Sequence, residues 1–177
     1  MRYGYACINM KLSYPQKYGG KEKHIKPITT NRTMIRRTFD EKGIDYANDL
    51  TVQNVKDLNQ IVQWNVINGF DFFRISSGLA PWKTEYEWED LKDLDEIQAY
   101  FRSVGWVAKT HKVRLTSHPG PFNVLVSPKE EVVENCIKDL TIHGDEFDMM
   151  NLSRTPWNKI NIHLGGAYGD KEASMKR

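Results

Sequence analysis

The chain is poor in cysteine and has no long apolar run. Cys7 and Cys136 are the two cysteines in 177 residues, far apart and without a CxxC or zinc-type spacing. That excludes a disulfide-stapled scaffold and a cysteine-based zinc fold, and both thiols read as reduced, buried packing groups. No stretch approaches the roughly eighteen apolar residues a membrane-crossing helix needs. The opening MRYGYACINM lacks the apolar centre of a secretory signal. These absences point to an intracellular protein, in cytoplasm, nucleus or a viral setting, rather than a secreted one. With 40% hydrophobic and 27% charged residues, the composition is that of one globular domain over residues 1–177.

The net charge of +2 conceals one local excess. Between residues 17 and 37, Lys17, Lys21, Lys23, Lys26, Arg32, Arg36 and Arg37 stand against a single acid, Glu22. Interleaved with Tyr14, Tyr18 and His24, such a segment suits a phosphate backbone, where Lys and Arg gain affinity by releasing counterions. The plainer alternative is a solvated loop. A structureless segment as long as Met10 to Asn48, with at most a short helix near residues 33–39, is functional or disordered in most domains.

Four strands alternate with helices. Residues 2–9 (RYGYACIN), 70–76 (FDFFRIS), 113–117 and 160–164 read as strands. Residues 51–68 carry Val55, Leu58, Ile61 and Val62 at helical spacing, with Thr51 as N-cap and Gly69 as stop. A second helix spans about 90–109, weakened locally by Gly105. A third opens at Ser127-Pro128 and ends before Gly144, and a fourth starts after Gly165. Connections of this length demand parallel pairing and an α/β fold. Four units make half of an eightfold barrel, and open sheet edges are features natural proteins avoid. The expectation is therefore a TIM-barrel type chain carrying the first four strand–helix units, truncated or completed by a second chain.

Two strands end in histidine. KVRLTSHPGPF delivers His118, and NKINIHLGG delivers His163, each followed at once by a glycine turn. Taken singly, each reads as a strand-end residue bonded to backbone. As a pair in equivalent places at the carboxyl rim, where such barrels build their sites, they are candidates for a shared metal. His24, His111 and His143 read as structural or solvated. Arg74, inside an apolar strand, needs either an internal ion pair or an anionic ligand.

The motifs GYxxxN at residues 4–9, NRT at 31–33, FRISS at 73–77, HPG at 118–120 and HLGGAYGDKE at 163–172 occur in that order along nearly the whole chain. Together they resemble the UV damage endonucleases, relatives of the apurinic endonuclease TIM barrels. The resemblance implies an enzyme that nicks DNA 5′ of ultraviolet photoproducts with divalent metal ions, manganese ahead of magnesium, zinc or iron. It implies metal ligation by His118 and His163, and contacts to lesion-bearing double-stranded DNA by Tyr5, Asn9, Asn31, Arg32, Pro121 and Phe122.

Where the family has Gln followed by Tyr or Phe, this chain has Pro121 and Phe122. The apolar wedge is kept, and the amide that would bond an orphaned base is lost. The family's catalytic lysine and remaining metal ligands are expected beyond Arg177, so the 177 residues alone are expected to cleave poorly. Two alternatives stand beside the enzyme: a damaged-DNA-binding remnant without chemistry, and a sugar isomerase-like metal barrel.

Overall fold

The β-branched and aromatic stretches pair in parallel, in the order β1 (Gly4–Ala6), β2 (Phe72–Ile75), β3 (Arg114–Ser117), β4 (Lys159–Ile160). The computed structural model describes residues 2–22, 25–163 and 165–177. Lys23 and His24 of the basic segment, and Leu164 at the expected end of the fourth strand, lie outside the described residues.

Register sorts the sheet into two faces. Tyr5 lies opposite Phe73 and Phe73 opposite Leu115, while Ala6 lies opposite Arg74, Arg74 opposite Thr116, and Thr116 opposite Lys159. Because strand side chains alternate, the first series shares one face and the second the other. Phe73, Ile75 and Leu115 are fully buried against the helices. The second face carries Gly4, Ala6, Phe72, Arg74, Arg114, Thr116 and Lys159, and all but Thr116 are half-exposed or exposed. This is the α/β arrangement of four consecutive strand–helix units of a barrel. Among the described residues, β1 and β4 each have a strand neighbour on one side.

The segment read as a long loop is largely helical. Asn9 caps α1 (Met10–Ser13) by accepting from Leu12 N, and Pro15 opens α2 (Pro15–Tyr18), a position where its missing N–H is no loss. Helix α3 (Arg36–Ile67) begins fifteen residues earlier than the periodicity suggested and turns at Gly43, whose φ of 67° and ψ of −160° separate two helical pieces. Thr51 is consequently not a cap: it is interior, and its hydroxyl donates to Ala47 O at 2.8 Å.

Helix α4 (Leu94–Thr110) buries Ile97, Phe101, Val104 and Val107, which fall at helical spacing. Gly105 has a packing reason, since a Cβ there would lie 1.7 Å from Met150 O. Helix α5 (Glu130–Met149) starts two residues after Pro128 and runs through Gly144, because Cys136, His143, Glu146 and Phe147 keep its inner face buried on both sides of that glycine. Strand β4 is two residues long, and α6 (Lys171–Lys176) is capped by Asp170, which accepts from Ala173 N at 2.9 Å. Cys136 is buried as expected, whereas Cys7 is half-buried at a positive φ of 58°.

Candidate metal centre and its surroundings

His118 follows β3 by one residue and His163 follows β4 by three, and the structure brings the two together. Their ring centroids are 4.7 Å apart with planes at 78°. Two imidazoles sharing one cation at about 2.1 Å, with roughly a right angle or slightly more between them, place their centroids about 4.6–5.3 Å apart. The observed spacing fits that arrangement. Asn161 N donates to Ser117 O at 2.9 Å, which fixes the strand carrying His163 against the end of β3. Loss of water pushes the His118 pKa below its ordinary value, and the neighbouring His163 and Arg74 push it further. Neutral imidazole is the ligating form, so the depression favours metal over proton. Among the described residues no group of three or more His, Cys, Asp or Glu side chains is placed to hold a metal ion, so the pair offers two donors of a shell.

The strand and loop that flank His118 are anchored from behind by α5. Ser117 Oγ lies 3.2 Å from His143 Nδ1, and that nitrogen lies 3.3 Å from Glu146 Oε2. His143 Nε2 is 3.8 Å from Asp139 Oδ2, an oxygen that accepts from Asn123 Nδ2 at 2.7 Å. Asn123 in turn donates to Gly120 O, closing the turn after His118. Burial raises the Glu146 pKa. Burial opposes protonation of His143, yet contact with Glu146 and the charge of Asp139 bring its pKa above the ordinary value. Of the two expectations for His143, structural or solvated, the structure shows the first: it is buried inside α5 rather than near its end. The signal available was spacing: positions 139, 143 and 146 fall on one helical face.

Beside this anchor a cleft of about 430 Å³ is lined by Ser77, Gly120, Phe122, Asn123, Asn135 and Asp139 among others. At its mouth Pro121 is exposed and Phe122 is 86% exposed, an orientation that costs apolar hydration and leaves the ring free.

Tyr5 and Asn9 are bonded to each other. Tyr5 packs on Phe70 and Phe73, and its hydroxyl donates to Asn65 Oδ1 at 2.5 Å while accepting from Asn9 Nδ2 at 2.7 Å. Burial pushes the phenol pKa up to about 12. Its ring thus serves the helix side of the sheet. Asn9 is buried, with both amide atoms engaged by Tyr5 and by the cap of α1.

The NRT segment lies against α3. Asn31 is exposed, but the Arg32 guanidinium lies 2.7 Å from Asp57 Oδ2 and donates to the carbonyls of Thr29 and Pro27. Asn54 brackets the Arg32 backbone, accepting from its N at 3.1 Å and donating to its O at 2.9 Å. The loop is therefore gripped by α3. Arg36 pairs with Asp40 and Glu85, and Arg37 with Glu41, so acids from outside the basic segment neutralise part of it.

Comparison with known proteins matches the family described as UV-endonuclease UvdE over residues 1–177. The chain is 33% identical to a UV DNA damage endonuclease of Clostridium perfringens over 177 residues, 99% of this chain and 38% of that protein. It is 34% identical to a UV-damage endonuclease of Schizosaccharomyces pombe over 179 residues, 99% of this chain and 28% of that protein. The crystal structure of SacUVDE is similar with a TM-score of 0.80 at 27% identity, over 99% of this chain and 53% of that one. The chain thus spans about half or less of the length of these proteins.

Proposed function

The chain belongs to the UV-endonuclease UvdE family, and on that premise we propose that it forms part of a DNA-repair endonuclease that nicks the strand 5′ of ultraviolet photoproducts with divalent cations, manganese ahead of magnesium, zinc or iron. The observation that carries this reading is the convergence of His118 and His163 at the carboxyl rim, 4.7 Å apart, with the free ring of Phe122 four residues on from His118. His118 and His163 would hold the cation through neutral ring nitrogens. Bound there, it would supply Lewis acidity toward a phosphoryl oxygen and a more acidic water.

The chain's own residues divide the remaining work. Phe122 enters the base stack at the lesion, where an apolar ring replaces stacking lost by unpairing. Pro121 stiffens the turn that presents it. Asn31 reaches a phosphate from the loop that Arg32 holds in shape through Asp57. Tyr5 acts through Asn9, fixing the first turn after β1. The family match over the whole chain sets the isomerase alternative aside.

With two imidazole donors and no third His, Cys, Asp or Glu grouped with them among the described residues, the 177-residue chain holds a cation weakly and cleaves little, and binding to lesion-bearing DNA persists. A partner pairing along β1 or β4 is one source of the missing donors. The test is irradiated plasmid incubated with this chain and manganese, with binding to an irradiated duplex followed in parallel. Salt-sensitive binding of irradiated over intact duplex, with little nicking, supports the reading; no preference for irradiated DNA at any salt concentration refutes it.

A further inference from the structure

We propose that Arg74 and Thr116 together bind one oxyanion, a phosphate or a carboxylate, on the open face of the sheet beneath the histidine pair. The two residues are register partners on adjacent strands, so their side chains leave the same face about 4.8 Å apart. Arg74 Nε and Thr116 Oγ1 are both buried, and neither has a hydrogen-bond partner among the described residues. Native proteins pair nearly all such groups, and two orphans at one pair of neighbouring positions mark a place where a partner is missing.

The chemistry of the face decides what kind of partner. Arg74 brings a fixed positive charge to this face, and its Nε has no hydrogen-bond partner among the described residues. The same face adds Arg114 and Lys159, while positions 4, 6, 72, 74, 114, 116, 118, 159, 161 and 163 hold no Asp or Glu. Arg114 is occupied, donating to the carbonyls of Trp157 and Pro156. A cation is therefore repelled from the spot, and a neutral ligand leaves the guanidinium charge uncompensated. An oxyanion satisfies both orphans, because a guanidinium fork and a hydroxyl can meet two oxygens of one group. Such an anion also offsets the repulsion between Arg74 and a cation on the two histidines.

The occupant is either a phosphate of nucleic acid or a carboxylate side chain from an adjoining strand. The phosphate source rests on the DNA reading above; the site itself does not. The test is a titration of the 177-residue chain with inorganic phosphate and, separately, with acetate, following the Arg74 Nε–H resonance by NMR. A saturable shift of that resonance is expected, with Arg74→Gln abolishing phosphate binding. Thr116→Val, which keeps shape and β-propensity, should weaken binding about tenfold, the worth of one hydrogen bond to a charged group. Preference for acetate would assign the carboxylate source and preference for phosphate the nucleic-acid source. No saturable shift with either anion, or binding unaltered by Thr116→Val, would overturn the inference. If phosphate binds at Arg74 while lesion-bearing duplex does not bind at all, the DNA reading fails and the oxyanion site stands.

Discussion

Replacing Phe122 with alanine separates a functional ring from a structural one. At 86% exposure about a seventh of the side chain is covered. A phenylalanine buries roughly 150–250 Å² when enclosed, so about 30 Å² is at stake, worth about 0.7 kcal/mol at ~25 cal/mol per Å². Stability to urea should therefore change by less than about 1 kcal/mol. A ring stacked on an exposed base contributes about 1–3 kcal/mol, so Phe122→Ala should weaken binding to a photoproduct-bearing duplex roughly 5- to 150-fold. Fluorescence anisotropy with damaged and undamaged duplexes reads the second quantity, and the loss should be larger for the damaged one. Phe122→Trp should retain most of the affinity. Unchanged affinity of Phe122→Ala for damaged DNA, or a stability loss above about 2 kcal/mol, would refute the reasoning.

Other substitutions test the frame. In Gly105→Ala the new Cβ would stand 1.7 Å from Met150 O, so the α4–α5 contact must open, costing about 3 kcal/mol in chemical denaturation. Asp57→Ala leaves Arg32 without its carboxylate partner and Thr29 N without its acceptor and should cost about 2–3 kcal/mol, with faster proteolysis within residues 25–34. The His143–Glu146 pair carries a pH signature. Both groups are raised in the folded chain, so each favours protonation there more than in the unfolded chain. Their contribution is full below the unfolded values, 4.5 for Glu146 and 6.5 for His143, and is lost as pH rises through the raised folded values. Stability should thus fall from about pH 5 upward, and Glu146→Gln should flatten that slope; an identical slope in the variant would contradict the assignment.

The parts of the fold legible in the sequence are those where apolar spacing and burial coincide. Phe73, Ile75 and Leu115 in the strands, and Ile97, Phe101, Val104 and Val107 in α4, lie in the core for the reason their periodicity gives. Glycine and proline misled where their neighbours decided the outcome. Pro15 starts a helix, Gly43 joins two, and Gly144 sits mid-helix because buried residues on either side hold the turn. In the site, the strand–His–Gly pattern pointed to His118 and His163, which do come together, although β4 ends at Ile160 and His163 is carried by the segment that Asn161 ties to the end of β3 rather than by the strand itself. The pairing of Arg32 with Asp57, and of Tyr5 with Asn65, was not legible: each joins residues 25 or more apart across a helix packing that no local pattern encodes.

The central claim is that His118 and His163 share one divalent cation. Manganese titration of the 177-residue chain, followed by electron spin resonance with nitrogen hyperfine detection, tests it most directly. The account predicts weak binding of one manganese ion coupled to two imidazole nitrogens. His118→Ala or His163→Ala should each remove that species, and the double variant should be no worse than either. Manganese binding unaltered by both single substitutions, or binding without coupling to two imidazole nitrogens, would contradict it.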